Sequence, residues 1–462
     1  MITSSPLKFE ALVLAGGFGT RMAEYFPEVP KPLVPIEGIP ILGHVLTECK
    51  ANNINNVLIS VFHQKERIIE YVGDGSEFGL TVQYVIEPIP IGTGGALFLA
   101  KERLAQNFFV LYADVYSKVD LNKIFISHIQ SAADVTCVVH PNDHPYDSDL
   151  IEYDENNNVV NLLPKDIDRP LFYKNCAAAA MYCLSKNTFK ISINKKKYDL
   201  ATDLLPKFIN SGLVVKAYST VEYIKDMGSP QRYKKVSDAI KNGIPMSRSS
   251  KVKRSAIILD RDGTVNRENG HISSLDRFEL INGVGDALRS INQSKFLALC
   301  ATNQPVLARG DITYDGLLEI HKKLDTLLGM HGAFLDDLIY CPHHPETGFE
   351  GEITNLKIEC NCRKPKSGLI DFYVAKYDLD KRNSIMIGDR FSDIKAAMRA
   401  GINSVLLISG AKDKQTHLAC RPTSFASTLV DATTWVLNDF KQLLSVAHEI
   451  YSQNTLSSSV YL

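Results

Sequence analysis

The segment Ala256-Ile257-Ile258-Leu259-Asp260-Arg261-Asp262-Gly263-Thr264-Val265 restricts the fold of this chain more than any other. Its apolar run is long enough for one buried strand and stops at two aspartates one residue apart, followed by Gly-Thr. A buried strand that ends in carboxylates suits an open parallel α/β sheet, where ligands bind outside the carboxyl ends of the strands. Placed there, Asp260 can attack phosphorus and Asp262 can give or take a proton, while Gly263 permits a sharp turn. A surface turn with two solvated acids is the plain alternative. Three later segments in a consistent order argue against it. Phe296 to Ala301 runs into Thr302-Asn303-Gln304, Arg363-Lys364-Pro365 supplies cations, and Ser384 to Ile387 runs into Gly388-Asp389-Arg390-Phe391-Ser392-Asp393.

These four segments resemble the haloacid dehalogenase-type phosphatases over roughly residues 255–410. The resemblance implies that Asp260 forms an aspartyl phosphate and that Asp262 protonates the leaving oxygen and then activates water. Thr302 and Asn303 would hold the transferring phosphoryl group, with Arg363 and Lys364 balancing its charge. Asp260, Asp262 and Asp389 would bind Mg²⁺, supported by Asp393. Ahead of Lys364, Cys341-Pro342-His343-His344 and Cys360-Asn361-Cys362 form close ligand pairs of the kind that builds a tetrahedral zinc site. Cys341, His343, Cys360 and Cys362 are the expected ligands, with His344 the substitute for His343. Four protein ligands leave no open position, so this zinc is expected to be structural. The loop is similar to that of the zinc-containing heptose bisphosphate and histidinol phosphate phosphatases. No insertion large enough for a separate cap is visible, so the zinc loop should form part of the substrate rim.

The residues before 250 require their own account. Phe9 to Leu14 reads as a strand running into Ala15-Gly16-Gly17-Phe18-Gly19-Thr20-Arg21-Met22, and Lys31-Pro32-Leu33 follows. Such a turn exposes backbone N–H groups to phosphate oxygens, and Arg21 and Lys31 add the charge that a polyphosphate needs. The spacing is neither that of a P-loop nor that of a dinucleotide fingerprint. It is similar to that of the sugar-1-phosphate nucleotidyltransferases, over roughly residues 8–240. That likeness makes Gly16, Gly17, Gly19, Thr20 and Gly94 nucleotide-binding, the last within Ile91-Gly92-Thr93-Gly94-Gly95-Ala96. It makes Asp114 and Asp226 the Mg²⁺ ligands and Lys165 the sugar-phosphate lysine. Where that family carries an Asn-Ala-Gly segment, this chain has Ala178-Ala179-Ala180, with Asn175 nearby.

The expected fold is α/β with two doubly wound domains. The first is a nucleotidyltransferase domain (Rossmann-like, GT-A-like) over 1–244; the second is a phosphatase domain with a zinc loop over 255–425. A polar, basic linker over 245–254 joins them. An amphipathic helical tail follows over 426–462, with Leu429, Val436, Leu443 and Val446 on one face and a Ser-rich end. A length of 462 residues allows roughly two or three domains. The net charge of −1 argues against a general nucleic-acid binder, so anionic substrates must be met by local cations. No apolar run approaches the roughly 20 residues needed to cross a bilayer, and no signal-peptide pattern opens the chain. Nine scattered cysteines point to a reducing, cytoplasmic setting. A homo-oligomer is possible through the helical tail.

Fused in one chain, the halves resemble a heptose 1,7-bisphosphate phosphatase joined to a heptose 1-phosphate guanylyltransferase, because the product of the first reaction is a substrate for the second. The expected partners are sugar phosphates and GTP, with Mg²⁺ at both sites. GTP follows from the resemblance alone. Two alternatives stand: a different base or sugar, or one half acting as a non-catalytic regulatory module.

Overall fold

The computed structural model describes residues 7–17, 22, 25–408 and 421–438. Two compact units divide the chain, Met1–Val252 and Lys253–Leu462.

In the first unit a nine-stranded mixed sheet separates two cores. Strand Phe9–Leu14 shows why. Side chains alternate along a strand, so Ala11 and Val13 enter one core and Leu12 the other, while a register shift between Phe9 and Ala11 puts Phe9 with Leu12. It lies between strands Asn56–Val61 and Leu104–Tyr112, parallel to both, with Leu14 beside Tyr112. The glycine-rich turn after Leu14 and the Ala113-Asp114 turn after Tyr112 therefore emerge together, and Ala113 N–H donates to the Leu14 carbonyl at 3.1 Å. Beyond Leu104–Tyr112 the sheet changes character: strand Ala177–Ser185 runs antiparallel to it and to strands Val135–His140 and Leu150–Tyr153. A separate two-stranded ribbon pairs Val115–Lys118 with Tyr223–Asp226, placing Asp226 opposite Val115. Met227 N–H also donates to the Asp114 carbonyl at 3.0 Å. This ribbon joins the two distant aspartates at the carboxyl edge of the sheet.

Helix Pro230–Lys241 closes the unit, with Val236 buried and Tyr233 and Ile240 packed on the same cluster. The polar stretch expected as a solvated linker is in large part structure. Ile244–Arg248 is a short helix, and Ile244, Pro245, Arg248 and Ser249 are buried. Ser250 N–H donates to Glu222 Oε1 at 2.7 Å. At the far end Arg254 is buried and its Nε donates to the Tyr377 carbonyl at 2.8 Å. The apolar faces of Ile244 and Pro245, outnumbered in the sequence by serines and basic residues, decide the outcome.

The second unit is a six-stranded sheet, parallel throughout, ordered Asp337–Cys341, Phe296–Asn303, Ser255–Leu259, Ile385–Gly388, Asn403–Leu407, Ser424–Ala426. Ala256, Ile257, Ile258 and Leu259 are all fully buried, so helices must cover both faces, as continuous apolar strands require. Ser255–Leu259 sits between Phe296–Asn303 and Ile385–Gly388, so Asp260, Thr302 and Asp389 leave the sheet at one edge. The edge strand Asp337–Cys341 ends on Cys341 and brings the cysteine-rich loop to the same edge.

The helical tail expected from 426 begins as part of this unit. Ser424–Ala426 is a strand of the sheet, and helix Leu429–Asn438 buries Leu429, Ala432 and Val436 in the core that holds Ile257 and Leu259. Leu443, Val446 and the Ser-rich end lie outside the described residues. Trp435, the one tryptophan of the chain, packs against this core. Its fluorescence should therefore report unfolding of the second unit. Val436→Ala should lower the stability read by Trp435 emission by about 2 kcal/mol in a denaturant titration. An unchanged midpoint would mean that this helix is dispensable to the core.

Candidate active sites

At the edge of the second sheet, Lys364 is buried with its Nζ 2.7 Å from Asp260 Oδ1 and 2.7 Å from Asp393 Oδ1. It also donates to the Ala301 carbonyl at 2.8 Å. Asp389 lies beside this group with both carboxylate oxygens buried and without a hydrogen-bond partner among the described residues. Asp260, Asp389 and Asp393 offer ligand atoms within 4.8 Å of one another. Unpartnered buried carboxylate oxygens fit a hard divalent cation. Burial, with the charges of Asp260 and Asp393 beside it, pushes the Asp389 carboxyl up to about 8. Burial raises Asp260 to about 6, against the opposing pull of Lys364. Gly263 turns with φ +83°, and a Cβ on it would stand 2.2 Å from Asp389 Oδ2, so glycine is required by conformation and by space.

Asp262, expected among the Mg²⁺ ligands, does not join that cluster through its carboxylate. It is turned to Arg261, Asn266 and Gln304. Burial alone would raise its carboxyl, but the Arg261 charge and these hydrogen bonds hold it below the usual range. Asp393 takes the third place. Its other oxygen accepts from Arg390 N–H at 3.1 Å at the start of helix Phe391–Ala400. Thr302 is buried at its strand end, where its Oγ accepts from Gln304 Nε2 at 3.0 Å. Asn303 braces the lysine: its amide exchanges two 3.0 Å hydrogen bonds with the Lys364 backbone. Arg363 donates to the His343 carbonyl at 3.2 Å and so ties the cysteine loop to the same edge.

Cys341, His343, Cys360 and Cys362 form a second cluster. The three sulfurs are 3.2–3.5 Å apart, and His343 Nδ1 is 3.3 Å from Cys362 Sγ and 3.7 Å from Cys341 Sγ. A tetrahedron with Zn–S bonds of ~2.3 Å has edges of roughly 3.8 Å, so the donor set and its spacing fit zinc. His344 is turned away, its Nδ1 3.4 Å from the Glu346 carbonyl.

In the first unit two clefts meet at Lys31, Tyr112 and Asp114. One, of about 370 Å³, is lined by Gly16, Gly17, Glu87, Gly92, Thr93 and Lys197 among others. A Cβ on Gly17 would meet nothing within 4 Å, whereas one on Gly16 would stand 2.6 Å from Glu87 Oε1. Gly19, Thr20 and Arg21 lie outside the described residues. Gly94, expected to bind nucleotide, is buried and gives its N–H to the Tyr198 carbonyl at 2.9 Å; its missing side chain makes room for Leu204 and Tyr198. Its neighbours Gly92 and Thr93 line the cleft instead.

The other cleft, of about 410 Å³, holds Lys165, Asp226, Arg232, Asp147 and the Ala178-Ala179-Ala180 segment. Asp114 is paired with Lys31. Asp226 is gripped by Arg232 NH1 at 2.9 and 3.0 Å, and this outweighs burial to hold its carboxyl low. Arg232 also reaches Asp147 at 2.7 Å, and Lys165 Nζ lies 3.4 Å from the same carboxylate. Two carboxylates sharing one cleft suit a hard cation. Asn175 is buried and joins two backbone segments, donating to the Asn142 carbonyl at 2.7 Å. Ala180 adopts φ +51°, a left-handed conformation that a glycine in its place would hold without strain.

Arg232, Thr93 and Lys197 were not expected from the sequence, and neither were Gln304 and Arg261. Arg232 had one visible signal, a cation in the first turn of the helix that follows Asp226.

The chain matches the Nucleotidyl transferase family over residues 10–243 and the HAD-hydrolase-like family over 361–432. It is 38% identical over 157 residues to the D-glycero-beta-D-manno-heptose-1,7-bisphosphate 7-phosphatase of Haemophilus influenzae, covering 34% of this chain and 83% of that protein. The protein of the same name from Escherichia coli K12 is 32% identical over 41% of this chain and 91% of its own length. Among solved structures, HddC from Yersinia pseudotuberculosis aligns with a TM-score of 0.44 and 26% identity, over 50% of this chain and 99% of its own. The chain is a bifunctional enzyme. It belongs to the nucleotidyl transferase family through its first half and to the heptose-bisphosphate phosphatase family through its second.

The raised carboxyls have a consequence for stability. Asp389 is near 8 in the fold against an ordinary 3.8. Between those values the folded state holds the extra proton, so stability falls as pH rises from about 4 to about 8. Asp260 acts in the same direction. In metal-free buffer, Asp389→Asn should flatten this decline, read by Trp435 emission across pH. A slope unchanged by the substitution would remove Asp389 as its source.

Proposed function

We propose that this chain removes the 7-phosphate from a heptose 1,7-bisphosphate and then transfers a nucleotidyl group, GMP from GTP, to the heptose 1-phosphate. One observation carries the reading. The Asp260–Lys364–Asp389–Asp393 cluster lies in a region related to heptose-bisphosphate 7-phosphatases and shares a chain with a nucleotidyl transferase module. The product of the first chemistry is the kind of substrate that the second requires. The guanine base rests on the sequence resemblance.

In the phosphatase half, Asp260 Oδ attacks phosphorus and the bond to the sugar oxygen breaks. Asp262, ionised at rest, first takes up a proton from solvent and then gives it to that oxygen. Asp262 then takes a proton from water as the water attacks phosphorus and frees Asp260. Lys364 favours the ionised form of Asp260, and the buried Thr302 hydroxyl would bind a phosphoryl oxygen. A divalent cation held by Asp260, Asp389 and Asp393 would neutralise phosphate charge and let a carboxylate approach it. Zinc on Cys341, His343, Cys360 and Cys362 would be structural, fixing the loop that Arg363 ties to the site.

In the transferase half a sugar-phosphate oxygen attacks the α-phosphorus of the nucleotide and pyrophosphate leaves. No protein nucleophile is needed, because positioning and charge carry the catalysis. Lys31 stands where the two clefts join, beside Asp114. Asp114 and Asp226 are the carboxylates that would hold Mg²⁺. The proposed setting is the cytoplasm, in keeping with the free buried cysteines Cys49, Cys137, Cys176, Cys183 and Cys300. No helix among the described residues is long and apolar enough to cross a membrane.

Heptose 1,7-bisphosphate with Mg²⁺ and either GTP or ATP tests the scheme. Phosphate should appear with both nucleotides and pyrophosphate only with GTP. Pyrophosphate with ATP instead would overturn the base assignment. Asp260→Asn should lower phosphate release at least about 10³-fold and, when heptose 1-phosphate is supplied, spare nucleotidyl transfer. Asp114→Asn should do the reverse, and loss of both reactions in either folded variant would sink the two-site scheme. Elemental analysis should find about one zinc per chain. A zinc-free preparation with full activity and stability would remove the zinc assignment.

A further inference from the structure

Arg261 stands between the two motif aspartates and is fully buried, although it is a charged residue at the mouth of a site. Burial of a guanidinium requires partners for its donors. Its Nε lies 3.1 Å from Asp262 Oδ1, and its NH2 lies 2.9 Å from Oδ1 and 3.1 Å from Oδ2 of the same carboxylate. NH2 also donates to Gln304 Oε1 at 2.9 Å, and Gln304 Nε2 returns to Asp262 Oδ2 at 2.8 Å. NH1 points the other way, to His321 Nε2 at 3.2 Å. A guanidinium has no acceptor, so His321 must accept at Nε2 and carry its proton on Nδ1. The guanidinium packs over the buried Phe278 ring at 5.8 Å, and the His321 ring packs against Tyr340 at 5.6 Å. The Asp262 side chain keeps 23% of its surface exposed, while that of Arg261 keeps none. Asn266 Nδ2 adds a 3.0 Å hydrogen bond to Oδ1, so every one of these groups donates to an ionised carboxylate that stays partly exposed and takes up a proton before it can give one.

We infer that Arg261, backed by His321 and Gln304, is the positioning residue that aims Asp262 at the leaving-group oxygen. The bidentate fork fixes the plane of the carboxylate, and His321, from helix Tyr314–Met330, fixes the fork. A lysine at 261 would keep the charge and lose the plane.

This rests on the phosphatase reading, and the test separates the two. Proton donation matters when the leaving group is a sugar alkoxide and little when it is a nitrophenolate, which leaves without a proton. Arg261→Lys, His321→Leu and His321→Gln are compared with the unaltered full chain in Mg²⁺ buffer, with Trp435 emission and nucleotidyl transfer as measures of folding. In single turnovers, Arg261→Lys and His321→Leu should slow phosphoryl transfer from heptose 1,7-bisphosphate at least about 100-fold. The nitrophenolate burst from p-nitrophenyl phosphate should stay close to that of the unaltered chain. His321→Gln, which restores an acceptor, should recover much of the loss. Equal slowing on both esters, or unaltered rates on both, would overturn the inference. If the unaltered chain hydrolysed neither ester, the phosphatase reading itself would fall and this assignment with it.

Discussion

Three buried carboxylates crowd together at the edge of the second sheet with one buried ammonium between two of them, and much of that unit is arranged around the imbalance. Lys364 pairs with Asp260 and Asp393, and Arg390 offsets the charge of Asp389 in part. Ionised together, the three carboxylates leave an excess of negative charge on buried groups, a state that costs several kcal/mol per uncompensated ion. The folded chain can take up a proton, and the elevated position of Asp389 is that response. It can also take up a divalent cation, and the unpartnered oxygens of Asp389 present the geometry for one. The sheet order makes the convergence unavoidable, because the strands that end in Asp260 and Asp389 are neighbours. Asn303 then anchors the backbone of the lysine.

The first unit meets the same chemical demand differently. Each aspartate expected to bind a metal is already matched by a cation, Asp114 by Lys31 and Asp226 by Arg232. The site is close to neutral without added ions, and both cations line the clefts where phosphates would arrive. Occupancy by a metal–phosphate pair would exchange carboxylate–cation contacts for carboxylate–metal and phosphate–cation contacts, with little change in total charge. In the second unit a metal would correct an imbalance; in the first it would replace partners already present. The two halves should accordingly respond differently to metal removal. The second carries the larger electrostatic cost.

What could be read from the chain was what repeats with the period of a strand or is carried by a short motif. Three strand ends in the second unit were legible because each is an apolar run that stops at a polar residue, and parallel pairing sends those ends to one edge, whereas Arg363-Lys364-Pro365 lies in a loop. The cluster of Cys341, His343, Cys360 and Cys362 was legible because these residues occur in close pairs, and it takes in His343 while His344 turns away. The ribbon that joins Asp114 to Asp226 left no local sign: its strands are four residues each and lie far apart in the chain. The linker misled because serine, lysine and arginine outnumber the few residues whose burial organises it. The tail misled in the opposite way. Leu429 and Val436 do share a stripe, but they belong to the core of the phosphatase unit.

The hardest residues to read were those that act on another side chain rather than on a substrate. Arg261 sits inside the most conspicuous motif of the chain, yet nothing in the order of letters says that it turns inward. Its partners are Asp262, Gln304 and His321, the last sixty residues away on helix Tyr314–Met330. Gln304 is similar: it follows a strand end whose Thr302 and Asn303 draw attention to themselves, and only the fold shows it closing a ring with Arg261 and Asp262. Motifs mark where a chain meets its substrate. The groups that hold those motifs in place come from other elements and become visible once packing has brought them together.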